Sequence, residues 1–178
     1  MKGKTVFTGG ISRFDGRRRV SRSEQPAAER NVVLLGSRGG SGVPASAIAD
    51  AMTSSGNAWR RLGATPDDPW SADPWDDLTS AGVVVGWAGQ NSIADIAAAG
   101  ASAVIVPQER PFAEQLETAL AVDRAGLAVV AATWPSADAW PELIERAAHL
   151  QPDWSLWEVR GAAARAAAAI DATARSRP

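Results

Sequence analysis

Ser92 and Asp95 lie about one helical turn apart, behind a small-residue turn at Gly86, Ala88 and Gly89. Free N–H groups at a helix start, with a serine hydroxyl beside them, can hold a diphosphate. A carboxylate just beyond can accept from both hydroxyls of a ribose at once. Gly89, Gln90, Asn91 and Ser92 open the helix that carries Asp95, and Asn91 or Ser92 is of a type that caps it. Asp95 also reads as a plain acid in the favourable potential of a helix N-terminus. Glu114 and Gln115 form a second group, opening the helix after Pro107-Gln108-Glu109-Arg110-Pro111-Phe112. A carboxylate accepts from sugar hydroxyls, and an amide both donates and accepts. A polar pair at a helix start is also common without any ligand. A third group is the turn Gly36-Ser37-Arg38-Gly39-Gly40-Ser41-Gly42. Its glycines let backbone N–H groups approach a phosphate, with Ser37, Gly39 and Gly40 the candidates; a tight turn packing strand on helix is the other reading. Together these residue types suggest a nucleotide-sugar site.

The elements that must position these groups alternate. Val32–Leu35, Val83–Gly86 and Ala103–Val106 are unbroken apolar runs, as expected of strands buried on both faces of a parallel sheet. A weaker strand is expected near 58–62 and another at 127–131. Helices are expected at about 44–55, 75–80, 91–99, 112–124 and 137–149. Gly100 and Gly126 fall where helices end. Strand, helix, strand in this order predicts an α/β fold with a doubly wound parallel sheet and right-handed crossovers. Both strand-to-helix corners then share the carboxyl edge of the sheet, where open α/β sheets take ligands. The chain reads as a single domain over 1–178. Residues 1–30 are a lead-in strand or linker followed by a mobile basic loop, and 154–175 form a C-terminal helix.

Composition narrows the partners. The 178 residues allow one well-buried core, and the net charge of −2 gives no reason to expect nucleic acid. Nine of the 18 Lys and Arg fall in the first 38 residues, so a basic, phosphate-facing or membrane-facing patch stands beside the reading as a solvated face. The chain has no cysteine, which excludes disulfides and thiolate metal sites and suits a cytoplasmic protein. No apolar run approaches the roughly 20 residues that span a bilayer. The acids Asp67, Asp68, Asp73, Asp76 and Asp77 sit among Pro and Trp and read as turn chemistry rather than a metal site. His149, the only histidine, falls late on a helix.

Taken together, these segments resemble the C-terminal, donor-binding half of GT-B glycosyltransferases, most of all the MurG-like group that adds GlcNAc to a lipid-linked precursor. That family has a segment R-S-G-A-x-T-x-x-E-L-A-A-A-G-x-P, matched here by Trp87-Ala88-Gly89-Gln90-Asn91-Ser92-Ile93-Ala94-Asp95-Ile96-Ala97-Ala98-Ala99-Gly100. Its segment ending Q-Q-x-x-N-A is matched by Glu114-Gln115-Leu116-Glu117-Thr118-Ala119. The resemblance implies that Asp95 holds the ribose, and that Glu114 and Gln115 contact the donor sugar. It also implies that Arg13, in Ile11-Ser12-Arg13, lies near the nucleotide and that Trp70 and Ser71 stand against the base. The fold implied is Rossmann-like, with UDP-sugar or a related nucleotide sugar as substrate and no cofactor or metal. An acceptor domain is expected as an N-terminal domain or a partner subunit, through which the protein would meet a membrane peripherally. Several positions depart from the pattern: Asp95 is a conservative change from the family's Glu, and the glycine turn is one or more residues off the family's form. Trp87 stands where the family has Arg, and Thr118 where it has Asn. A sugar-nucleotide epimerase half, an NADP module favoured by Arg60-Arg61, and a non-catalytic partner keeping the fold remain as alternatives.

Overall fold

The computed structural model describes residues 5–19, 31–36 and 42–175. The expected parallel sheet is present, with its helices on both faces. In chain order the elements are β1 (Val32–Leu35), α1 (Ala45–Ser55), β2 (Trp59–Leu62), α2 (Trp75–Ser80), β3 (Val83–Trp87), α3 (Gln90–Ala99), β4 (Ala103–Val106), α4 (Glu114–Arg124), β5 (Val129–Val130), α5 (Trp140–His149) and α6 (Ala162–Arg175). The strands align as β2-β1-β3-β4-β5, all parallel.

Strand alternation feeds two cores. Val33 and Leu35 of β1, Val84 of β3 and Ile105 of β4 face one side, where Leu78, Ile93, Ile96 and Val122 cover them. Val32, Leu34, Val83, Val85 and Val104 face the other, under Ile48, Trp140 and Ile144. Burial on both faces explains why these strands carry no polar alternation. Fully burying a residue such as Ile93 or Ile96 contributes about 1.5–3 kcal/mol.

Connections from β1 run outward to β2, and those from β3 run the other way to β4 and β5. The chain therefore changes winding direction between β1 and β3. At such a point the loops diverge and leave a crevice beyond the carboxyl ends of the strands.

Several segments differ from the sequence expectation, and α4 and α5 start two and three residues late, each behind a 3-10 turn. Residues 5–9 carry no strand, so the lead-in is a linker. The last strand is only Val129–Val130. The C-terminal segment is not one helix from 154. A 3-10 turn over Trp154–Trp157 ends in Glu158, whose φ of 49° is left-handed, and α6 starts only at Ala162. Trp154 is pulled out of helical continuity by burial, with its indole N–H donating to the Ala101 carbonyl at 2.8 Å.

Candidate functional site

A cavity of about 550 Å³ lies beyond the carboxyl ends of β1 and β2, against the start of the helix that follows β3. Ile11, Ser12 and Arg13 form one wall, Trp70, Ser71 and Pro74 another, and Asn91, Ser92 and Asp95 of α3 the third; Leu35, Gly36 and Leu62 lie along it too. Six residues picked from the sequence thus meet in one place: Arg13, Trp70, Ser71, Asn91, Ser92 and Asp95. Leu35, Leu62 and Pro74 carry no signal of a site in the sequence, and Ile11, Ser12 and Gly36 lie in segments singled out there without roles of their own. Ser12 was within reach, because it adjoins Arg13 in the segment that carries the resemblance.

Helix α3 presents its two ends very differently. At its C-terminus Gly100 takes a left-handed φ of 69°, and the Gly100 and Ala101 N–H groups return to the Ala97 and Ile96 carbonyls. That is the paired closure of a Schellman motif. Arg19 adds a guanidinium, donating from Nε to Ala98 O and from Nη2 to Ala97 O, both at 2.7 Å. Burial pushes the Arg19 pKa down from its ordinary value. At its N-terminus Gly89 occupies the cap position in extended geometry, with no capping side chain among the described residues and no acid in the first turn. Asn91 and Ser92 therefore do not cap the helix, as the sequence had allowed; they lie inside its first turn and line the cavity. Open N–H groups and positive helix potential face the crevice together, a combination that favours an anion.

Asp95 is 6% exposed and sits one turn deeper. Its Oδ1 accepts from the Ser12 hydroxyl at 2.7 Å and its Oδ2 from Arg13 Nε at 3.1 Å. Each carboxylate oxygen has a second lone pair, so ligand hydroxyls can still be accepted. Arg13 also donates from Nη1 to the Ala72 carbonyl at 3.0 Å, tying the lead-in segment to the Trp70 wall. Such a charge-assisted bond contributes about 1.5–3 kcal/mol, toward the low end because Arg13 is half-exposed. Trp70 lies on Gly63, whose φ is 63° and where a Cβ would come within 2.7 Å of the indole. Gly36 is required by packing, since a Cβ there would overlap the Gly63 carbonyl.

The second corner adjoins the first. A Cβ on Gly89 would lie 3.8 Å from Gln115 Nε2 and 4.0 Å from Ser92 Oγ. Gln90 donates from Nε2 to Thr118 Oγ1 at 3.2 Å, joining α3 to α4. Gln115 is buried and its Oε1 accepts from the Gln108 N–H at 2.9 Å. Glu114 is exposed at the start of α4. Gly89, Gln90, Glu114 and Gln115 are not among the residues lining the cavity. Ser37, Gly39 and Gly40 lie outside the described residues.

Several other sequence features have structural partners. Trp87, at the position of the family's Arg, is 1% exposed and packs 5.7 Å from the Trp134 ring. Arg60 pairs with Asp77 at 2.6 Å and Arg61 with Asp68 at 3.0 Å, which removes the ground for reading these arginines as a phosphate site. Asp73 pairs with Arg17 at 2.8 Å, so three of the loop acids face guanidinium groups. His149, on the surface at the end of α5, has its Nδ1 2.8 Å from the Glu145 carbonyl. Among the described residues no helix is long and apolar enough to cross a membrane.

Residues 71–144 match the family model described as the glycosyltransferase family 28 C-terminal domain. This chain is similar to that domain. The matched residues include both corners, with Asp95, Glu114 and Gln115 inside them. No curated protein matches the chain. Among solved structures, the glycotransferase of kitacinnamycin superposes with a TM-score of 0.62 at 18% identity, covering 92% of this chain and 46% of that one. The MurG of Acinetobacter baumannii gives 0.53 at 17% identity, covering 75% and 49%. The calicheamicin glycosyltransferase gives 0.54 at 17% identity, covering 86% and 44%. The chain thus spans about half the length of the solved structures it matches. At these identities the likeness is one of fold: a Rossmann-like α/β domain as found in GT-B glycosyltransferases.

Proposed function

We propose that this domain binds the nucleotide-sugar donor of a GT-B glycosyltransferase, a UDP-sugar by resemblance to the MurG-like group. The observation that carries the reading is the uncapped, acid-free N-terminus of α3 opening into a cavity that also contains Asp95. The diphosphate lies against the N–H groups of α3, with the Ser92 hydroxyl as an added donor. Asp95 accepts from the ribose hydroxyls, and Arg13 lies close enough to balance phosphate charge. Trp70 and Ser71 stand against the base. Glu114 and Gln115 receive the hydroxyls of a hexose or N-acetylhexosamine beside the diphosphate. The departing UDP is stabilised by fixed backbone dipoles, which act without reorganisation in a partly enclosed site. The acceptor and its catalytic base belong to a second domain or subunit facing this one. That assignment accords with the chain's spanning about half of the matched structures, and a membrane-bound acceptor would reach the enzyme through that half.

Calorimetric titration with UDP, against TDP, GDP and NADP, tests the reading. Saturable binding of one nucleoside diphosphate is expected, weakened by about 1–3 kcal/mol in Asp95→Ala, the scale of bonds to a charged group. Equal affinity in Asp95→Ala would remove that residue from the site, and tighter binding of NADP would replace the donor by a dinucleotide.

A further inference from the structure

One wall of the cavity is a strap rather than a helix or strand. Residues 8–19 run along α3: Gly10 lies against Ala94, Ser12 and Arg13 hold Asp95, and Arg19 closes the C-terminus. The strap's first residues, 8–10, are held from the far end of the chain. Arg165, on the first turns of α6, donates from Nε to the Thr8 carbonyl at 3.0 Å, from Nη1 to Arg160 O at 2.7 Å, and from Nη2 to Glu158 O. The Gly10 N–H donates to Trp157 O at 3.0 Å, and the Gly161 N–H to Asp15 Oδ2 at 2.9 Å. The fit is close. A Cβ on Gly9 would overlap the Glu158 carbonyl, and one on Gly10 would meet the Trp157 ring at 2.6 Å. Glu158 and Gly161, at φ of 49° and 74°, turn the chain so that the Glu158 and Arg160 carbonyls converge on one guanidinium. A left-handed non-glycine residue costs energy and persists where its surroundings over-determine it.

Resting on the nucleotide-binding reading above, we propose that Arg165 is a positioning residue for the nucleotide site. By fastening residues 8–10 to the C-terminal segment, it fixes the register of Ser12 and Arg13 against Asp95. The carboxylate then keeps its ligand-facing lone pairs aimed into the cavity, some 70 residues away in sequence. The planar guanidinium suits this role because its five N–H donors form a rigid fork.

Hydrogen exchange and UDP titration on the full chain test this together. Arg165→Ala is expected to raise amide exchange at Gly10 and Phe14 at least ten-fold, leave β3 protected, and weaken UDP at least ten-fold. General destabilisation would instead raise exchange in β3 as well. Arg165→Lys, which keeps three donors, recovers part of the affinity, and Arg165→Ala adds a smaller loss in a Ser12→Ala background, where one of the strap's two links to Asp95 is already cut. Unchanged exchange at Gly10 and Phe14 overturns the strap. Raised exchange with undiminished UDP affinity overturns its role in the site. Should the unmodified chain bind no UDP while the exchange response holds, the nucleotide reading falls and the strap stands.

Discussion

The corners after β3 and β4 have the same topology and opposite chemistry. After β3 the chain enters α3 through Gly89 at φ −68°, with neither capping side chain nor acid in the first turn. After β4 it enters α4 through Phe112 and Ala113, both left-handed at φ 62° and 52°, with Glu114 and Glu117 in the first turn. The first corner presents unneutralised positive potential. The second has already spent that potential on its own carboxylates. The start of α3 therefore favours an anion and the start of α4 hydroxyl donors, although Gln90 and Thr118 join the two helices at 3.2 Å. On the proposed reading, this pair of βα corners would take the charged and the neutral parts of one nucleotide sugar.

Exchanging the two chemistries gives the largest effect. Ser92→Asp puts into α3 the first-turn acid that α4 has. It is expected to lower UDP affinity at least 100-fold, since two charges about 4 Å apart at a partly exposed site repel by roughly 4 kcal/mol. The same change should raise the unfolding free energy by about 0.3–1 kcal/mol through the helix dipole. Titration and denaturant unfolding read the two opposite signs. Loss of both binding and stability would mean that Ser92 acts only through packing.

Gln115→Ala addresses the other corner. Its Oε1 holds the Gln108 N–H at 2.9 Å in a buried setting, so truncation leaves that donor unpaired. A loss of about 1–3 kcal/mol in stability is expected. UDP should bind as before, while any preference for UDP-sugar over UDP disappears. A parallel loss of UDP itself would merge the two corners into one anion site.

Much of this division was legible in the residues. The valine runs name the sheet because nothing polar interrupts them, and Gly100 names the end of α3 because only that residue takes the closing conformation without strain. Asp95 was visible as a candidate from its place one turn behind the helix start. Its partners were not, for Ser12 and Arg13 lie 83 and 82 residues away. Pairings at that distance leave no local trace, and Arg13 came into view only through resemblance. The partners of Arg60 and Arg61 are hidden in the sequence for the same reason. The acids that neutralise them, Asp77 and Asp68, sit on other elements and meet them only once β2 is in place. The left-handed Phe112 and Ala113 carry no glycine to announce them, so the expected helix start falls two residues too early.

Ala113→Gly probes that strain. A non-glycine residue in left-handed geometry costs roughly 1–2 kcal/mol, and glycine returns about 0.5–1 kcal/mol of that through the freedom it adds to the unfolded chain. A net gain of about 0.5–1 kcal/mol in unfolding free energy is expected, read by thermal or denaturant midpoints. Gly89→Ala at the first corner should be close to neutral in stability, because its φ suits any residue and the new Cβ would meet Gln115 at ordinary contact distance. A loss of stability in Ala113→Gly would show that the left-handed pair is held at no cost.

The smallest effect concerns the loop that brings Trp70 to the first corner. Arg17 grips Asp73 through two bonds of 2.9 and 2.8 Å, and the Trp75 N–H adds a third at 3.3 Å. The Arg17 hydrogen bond, first, and the Trp75 amide hold the Asp73 pKa below its ordinary value. The folded chain therefore binds this proton less readily than the unfolded one. The pair's contribution is complete above the ordinary aspartate range and is lost as pH falls through the depressed folded value. Both side chains are open to solvent, so the effect is small and screened by salt. Amide shifts of Trp75 and Ser71, followed by NMR on the acid side, should move together and return on raising the pH. Asp73→Asn should flatten that transition, and 1 M salt should reduce it. A transition that survives Asp73→Asn would assign the loosening to another acid and separate the loop from the strap that Arg17 shares with Arg13.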